Sequence, residues 1–358
     1  MQVISKQADL EKLSHYRDYL RENPSLKFLF FELTDSCNLN CLHCGSECLS
    51  SNTRFLEFDL IKKTLDEVAQ KYDSSKIWVC ITGGEPLLHP KLVEIVKYAH
   101  NLGFICGMTS NATLIDEKIA EKLVKAVLES ITASIDGLGN SHDKFRGKKD
   151  AFSLAMKGIE NLRKYGLESE ALTVVHKNNI VELDKLYDFF SRNKFYSWRV
   201  VNMEPIGRAK LNKEFILDAK ELKHLLDFIV QKKRNKNEKM YISYGCSHFL
   251  PLEYEKEVRD YYFLCLAGIR VASIMVNGDI AACLDIERRP ELIQGNVKTD
   301  SFIDVWENKF DFFRKDRTCN SKVCSSCKDK KLCGGDSTHT WNYDLQEPNY
   351  CIKRIFQE

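Results

Sequence analysis

FLFFELTDSCNLNCLHC, residues 28–44, decides how the rest of the chain is read. Its first half is apolar and rich in phenylalanine, and Thr34-Asp-Ser stops it, the profile of a short buried strand. Directly behind come Cys37, Cys41 and Cys44, spaced C-x3-C-x2-C. Three thiolates on one short loop can wrap an iron–sulfur cube and leave one iron without a protein ligand, open to a small molecule. Zinc is the competing reading, but three thiolates with Cys48 four residues on make an unusual zinc spacing.

Beyond this loop the pattern of strand and then helix repeats. Apolar, often β-branched runs at 28–34, 76–81, 104–109, 130–135, 172–175 and 198–203 predict strands. Between them, apolar residues recur at helical spacing, as with Leu60, Ile61, Leu65, Val68 and Ala69. Further helices are predicted at 116–128, 151–165, 181–193 and 217–233. Six such units imply an α/β fold with a parallel sheet and right-handed crossovers, either a partial barrel or a doubly wound sheet. In both, chemistry sits at the carboxyl ends of the strands. The polar, basic stretch 231–239 reads as a solvated linker. After it the apolar runs shorten and cysteines crowd, as in a small domain held by metal rather than by a large core. The expected organisation is an N-terminal extension at 1–27, the α/β unit at 28–236 and the cysteine-rich unit at 237–358.

Composition narrows the function. Lys+Arg 53 against Asp+Glu 51 gives a formal charge of +2, no basis for a nucleic-acid or anionic-membrane partner. No apolar run is long enough for a membrane span, and the start, MQVISKQADLEKLS, lacks the apolar region of a secretory signal. A cytoplasmic location is expected. In that reducing compartment the 14 cysteines are not expected to form disulfides, and the clustered ones read as metal ligands or catalytic groups. Cys80 and Cys106 fall within strands and are expected to be buried small hydrophobes.

The cysteine loop after the first strand resembles that of the radical S-adenosylmethionine (SAM) superfamily, and further motifs follow in the family's order. Thr82-Gly83-Gly84-Glu85-Pro86 is similar to the element that holds SAM's amino group, with Glu85 as acceptor for an ammonium. Ser110, Asn111, Ser134 and Asp136 stand where the family contacts ribose or lines the pocket. The resemblance makes Arg146, in His142-Asp-Lys-Phe-Arg146-Gly, the partner of SAM's carboxylate. His43 stands where many relatives carry Tyr or Phe beside the adenine, and an imidazole can stack there too. Cys48 is expected not to be a ligand, since a fourth thiolate would block SAM. The implied fold is a partial (β/α)6 TIM-like barrel.

The C-terminal cysteines resemble a SPASM domain, the auxiliary iron–sulfur extension of that superfamily. The resemblance assigns Cys324, Cys327, Cys333 and Cys351 to one auxiliary [4Fe–4S] cluster, with a zinc ribbon as the other reading. It places Cys265 and Cys283, around Gly278, at a second cluster. The family's further cysteine for that cluster is Ser337 here, which leaves Cys319 or Asp336 to complete it. On balance a second auxiliary cluster is expected.

The resemblance implies reductive cleavage of SAM to a 5′-deoxyadenosyl radical that abstracts hydrogen from a substrate. The expected substrate is a residue of a ribosomally made precursor peptide, giving a cross-link, thioether or epimer. The alternatives are formylglycine formation as in anaerobic sulfatase maturases, and action on a small metabolite or cofactor precursor. Flavodoxin or ferredoxin is the expected reductant. With only 27 residues before the first strand, leader recognition is expected from a separate protein or from the barrel. Cys246, in Tyr244-Gly-Cys246-Ser-His248, is a candidate catalytic hydrogen donor, with an ordinary loop cysteine as the other reading.

Overall fold

The computed structural model describes residues 6–235, 240–245 and 248–356, with the side chains of 6–10 excepted. Strands β1 (Phe28–Glu32), β2 (Trp78–Thr82), β3 (Ile105–Ser110), β4 (Ser130–Ser134), β5 (Ser169–Val175), β6 (Ser197–Asn202) and β7 (Tyr241–Tyr244) pair in parallel in chain order. β8 (Val271–Ile274) lies parallel to the other edge of β1, with Val271 opposite Phe28, and β9 (Asp279–Ala281) and β10 (Gly295–Asn296) continue antiparallel. The mixed α/β architecture expected from the sequence is therefore present. The parallel run, however, extends one strand past the six expected units and gains β8 from the cysteine-rich half.

The chain opens with α1 (Lys6–Glu22), which precedes the sheet. The crossover helices are α2 (Phe58–Lys71), α3 (Leu92–Asn101), α4 (Glu117–Lys125), α5 (Asn140–Arg146), α6 (Ala151–Lys164), α7 (Leu183–Arg192) and α8 (Ala219–Arg234). Two of them start on capping side chains. Asp116 accepts from Ile119 N at 2.7 Å before α4, and Asp218 with Glu221 forms a reciprocal capping box before α8. The expected linker at 231–239 is, as far as Arg234, the last turn of α8. Its cations pair across the surface, Lys233 with Asp260 at 2.7 Å and Arg234 with Glu257 at 3.1 Å. Residues 236–239 of that stretch lie outside the described residues.

Alternation along the strands decides the core. In β5, Ser169, Ala171, Thr173 and Val175 are buried while Glu170, Leu172 and Val174 are half-buried. The helix-facing layer holds Leu29, Phe31, Val79, Ile81, Ile131, Ala133, Ala171 and Val200 against Ile61, Leu65, Ile95, Val96, Leu123, Leu162 and Leu186. On the other face polar groups bond across strands: Arg199 Nη2 lies 2.7 Å from Glu170 Oε2, which also accepts from Thr132 at 2.9 Å. Cys106 is fully buried, as expected, whereas Cys80 lies half-buried on the second face. Among the described residues no helix is long and apolar enough to cross a membrane.

Candidate active site

The cysteine loop at 33–57 is tied to itself and then clamped from three sides. Bridges join Thr34 to Phe55 and Ser36 to Leu49. Gly84 N donates to Thr34 O at 2.6 Å and Glu85 N to Ser36 O at 2.9 Å, so the Gly-Gly-Glu segment runs alongside the base of the loop. A Cβ on Gly84 would sit 2.0 Å from Ser36 O, so this close approach to the loop requires the glycine. From α5, the carbonyls of Phe145 and Arg146 accept from Leu42 N at 3.0 Å and Asn40 N at 3.1 Å. The third clamp follows β6. Arg208 donates Nε to Cys41 O and Nη1 to Cys48 O, both at 2.8 Å, and Asn212 Nδ2 donates to Leu42 O at 3.0 Å. Gly207, at φ +50, places its backbone where a Cβ would meet Cys44 O at 2.3 Å.

Cys37 and Cys41 are buried and Cys44 half-buried. Burial pushes the Cys37 thiol up to about 12 and raises Cys41, although Arg146 Nη1, 3.7 Å from Cys41 Sγ, opposes the latter. Thiolates on such a loop need positive charge beside them, which iron supplies, so the donor set fits a cube with one open iron. Cys48 is 1% exposed and shares a hydrogen bond with Cys44, beneath Gly84.

Glu85 is the centre of the neighbouring pocket. Its carboxylate is fully buried and accepts from Ser110 Oγ at 2.8 Å, Asn111 N at 2.9 Å and Leu87 N at 3.2 Å. Burial outweighs those bonds and pushes it up to about 7. Thr82 ends β2 and Pro86 opens the turn at Pro86–Leu88 behind it, while Ser134 ends β4. Asn111 Nδ2 donates to Asn38 Oδ1 at 2.9 Å and so joins this pocket to the cysteine loop.

Asp136 and Arg146 form a buried pair, Nε to Oδ2 at 2.6 Å. Burial favours the neutral acid, but Arg146 outweighs it and Asp136 stays below the usual carboxylate range. His43 stacks on Phe145 at 4.7 Å, and Phe145 stacks in turn on His176 at 3.7 Å. Burial drives the His43 imidazole down to about 3, so it is neutral at physiological pH.

Glu204, just after β6, receives two histidines that sequence reasoning did not single out. His248 Nε2 lies 2.9 Å from Glu204 Oε1, and His339 Nε2 lies 2.9 Å from Glu204 Oε2. His248 Nδ1 continues to Asp336 Oδ2 at 3.0 Å. Burial pulls both imidazoles down, yet Glu204, with Asp336 at His248, outweighs it and raises them to about 10 and about 9. Asp285, near His339 and Glu204, reaches 3.9 Å from where a Cβ on Gly45 would lie. The histidines and acids from the cysteine-rich half thus meet the cysteine loop at the barrel mouth. The only signal in sequence was Met203-Glu204-Pro205 directly behind a strand.

In the cysteine-rich half, Cys324, Cys327, Cys333 and Cys351 are electrostatic neighbours in a chain of pairs. Their sulfurs meet donors: Asp336 N lies 3.2 Å from Cys333 Sγ, and Lys353 Nζ 3.8 Å from Cys327 Sγ. Four thiols with N–H groups aimed at them fit a complete auxiliary cube. α1 docks here through Arg17, whose Nη1 donates to Lys331 O at 2.7 Å. The expected supplements to a second cube have other partners. Cys319 is exposed and bonds Asp316, and the Asp336 carboxylate is spent on His248 and on Phe249 N at 2.9 Å. Among the described residues no three Cys, His, Asp or Glu side chains converge on a single metal ion. Cys246 lies outside the described residues.

The family profiles that match are the Radical SAM superfamily over residues 31–190 and the SPASM iron-sulfur cluster-binding domain over residues 265–328. The AdoMet-dependent heme synthase of Methanosarcina barkeri is 29% identical over 350 residues, 92% of this chain and 97% of that protein. The mycofactocin maturase MftC of Mycobacterium ulcerans is 28% identical over 316 residues, 86% of this chain and 81% of that protein. Streptococcus suis SuiB bound to S-adenosylmethionine superposes with a TM-score of 0.73 at 20% identity, covering 100% of this chain and 84% of that one. Its complex with the precursor peptide SuiA also scores 0.73, at 19% identity, covering 97% and 80%.

Proposed function

Since the chain is a radical SAM enzyme with a SPASM domain, using SAM and [4Fe–4S] clusters, we propose that it abstracts hydrogen from a residue of a ribosomally made peptide to form a cross-link, thioether or epimer. The observation that carries this reading is the polarity of the barrel mouth. Glu204, His339 and Asp285 meet there, and Arg288 pairs with Glu32 of β1, Nη1 to Oε2 at 3.1 Å. An extended peptide offers N–H and C=O groups along its length that can bond to such side chains. The precursor-peptide complex of SuiB and the likeness to MftC agree with it.

In this reading Cys37, Cys41 and Cys44 would hold the core cluster, which when bound and reduced would supply the electron for cleavage of SAM. Glu85 takes the ammonium of SAM. Asp136 grips Arg146 through Nε and Nη1 lies against Cys41 Sγ, which leaves Nη2 for the carboxylate of SAM. Ser110, Asn111 and Ser134 line the ribose side, and His43, steadied by Phe145, faces the adenine. Arg208 and α5 hold the loop rigid, so that the reacting carbon meets the radical in a fixed geometry.

A second reading, action on a haem precursor, is favoured by the M. barkeri heme synthase, which aligns over nearly its whole length. Reduced enzyme should be given, in parallel, short peptides encoded beside its gene and an iron porphyrin precursor. A mass change in a peptide, or for an epimer deuterium uptake from deuterated buffer, coupled to 5′-deoxyadenosine and absent in the Cys37→Ala/Cys41→Ala/Cys44→Ala variant, supports the first reading. A change in the porphyrin alone replaces it with the second.

A further inference from the structure

The residues around Cys265 do not fit a second cube. Ser337 stands at the expected third thiolate, buried at 1%, and Cys319 and Asp336 have other partners. Thr338 and Arg317 attend the Cys265 sulfur instead. Sγ lies 3.0 Å from Thr338 Oγ1 and accepts from Thr338 N at 3.4 Å. Arg317 donates Nη1 to the same Oγ1 at 3.1 Å and Nη2 to Asp336 O, and its guanidinium lies over Trp341 at 5.0 Å. A guanidinium and a hydroxyl thus take the places that further thiolates would need.

Cys265 also opens onto a cavity of about 300 Å³, lined as well by Arg17, Lys315, Cys333, Trp341 and Tyr343. Arg17 is 2% exposed, and its Nε has no hydrogen-bond partner among the described residues. Its Nη groups reach only main-chain carbonyls, those of Lys331, Leu332 and Phe263. A buried guanidinium with an unused N–H beside an open space calls for an electron-rich group there.

We propose that Cys265 is a free cysteine and not a cluster ligand, and that its cavity is a reaction site for small electrophiles bearing a carboxylate. Arg317 and Thr338 outweigh burial and hold the thiol below its usual range, the setting in which cysteines are nucleophilic. Arg17 and Lys315 supply the attraction for the carboxylate. In the displacement step, the sulfur lone pair forms an S–C bond while the carbon–leaving-group bond breaks, and the leaving group departs with its electron pair. No electron is exchanged with a cluster.

The test uses anaerobic holoenzyme and two alkylating probes, iodoacetate and iodoacetamide, with iodide as leaving group. Labelling is read by peptide mass spectrometry, with exposed Cys319 as internal reference. Cys265 should favour iodoacetate at least threefold more than Cys319 does, and Arg317→Gln should slow its labelling by either reagent. Iron should stay at about 8 per chain in the wild type, in Cys265→Ala and in Cys265→Ser. An equal preference at the two cysteines, or a Cys265 that is never labelled, overturns the reaction site. Loss of about 4 Fe from both Cys265 variants restores the second cluster and overturns the proposal entirely. None of these outcomes depends on which substrate the barrel takes.

Discussion

Arg146 Nε sits 2.6 Å from Asp136 Oδ2, and both side chains are buried at the carboxyl end of β4. The pair fixes the last turn of α5, whose carbonyls hold the cysteine loop. Removing one partner leaves the other charge buried without compensation, at a cost of about 3–5 kcal/mol. Asp136→Ala should therefore lower the midpoint of chemical unfolding of the cluster-free protein markedly. Asp136→Ala combined with Arg146→Met should recover much of the loss, and a double variant no better than the single would remove the pair from this role.

Glu85 links the pocket to pH. Burial holds it at about 7, and only the carboxylate can pair with an ammonium. SAM affinity should strengthen as pH rises from 6 to 8, with the inflection at about 7. Glu85→Gln should bind SAM about tenfold more weakly or worse at pH 8 and lose the inflection, as equilibrium dialysis would report. A wild-type affinity that is flat across this range contradicts the assignment.

Arg208 is the clamp the cysteine loop cannot supply for itself. Its two hydrogen bonds to the loop, each charge-assisted, are worth about 1.5–3 kcal/mol apiece. In Arg208→Ala, iron retained after gel filtration should fall toward about 4 per chain, because only the auxiliary cube is untouched. Full retention would show that α5 and the Gly-Gly-Glu segment suffice.

The histidines on Glu204 make stability pH-dependent in a defined direction. Both are raised in the folded protein, His248 to about 10 and His339 to about 9, so the folded state binds protons that the unfolded chain releases earlier. Their contribution is complete below the ordinary histidine value of 6.5 and is lost as pH rises through 9 and 10. The thermal midpoint of the wild type should fall across that alkaline range, and Glu204→Gln should flatten the fall while lowering the midpoint at pH 7. Parallel curves for the two proteins would exclude the network as the cause.

Much of the barrel was legible because its local signals agree. The Phe-Leu-Phe-Phe run of β1 and the β-branched or apolar runs of β2 to β6 place those strands within about three residues, since each is a continuous apolar stretch bounded by turn residues. β7 was missed because four residues after a basic stretch carry too little alternation to register. β8 pairs with β1, yet Phe28 and its partner Val271 are far apart in sequence, and such pairing leaves no local trace. The cysteine spacings and Gly83-Gly84-Glu85 were visible because covalent proximity delivers their chemistry. Arg208, Glu204, His248 and His339 were not, because each is an isolated polar residue whose partner comes from another element. In the same way, nothing in the spacing of Cys265 and Cys283 reveals that Thr338 and Arg317 attend the Cys265 sulfur.

The most direct test of hydrogen abstraction from a peptide follows the abstracted atom. Reduced enzyme with SAM is given a candidate precursor peptide deuterated at every Cα and throughout its side chains, and the 5′-deoxyadenosine is analysed by mass spectrometry. The proposed function predicts one deuterium in each 5′-deoxyadenosine, formed in step with modified peptide. Undeuterated 5′-deoxyadenosine alongside a modified peptide, or no modification from any peptide while an iron porphyrin precursor is turned over, would contradict it.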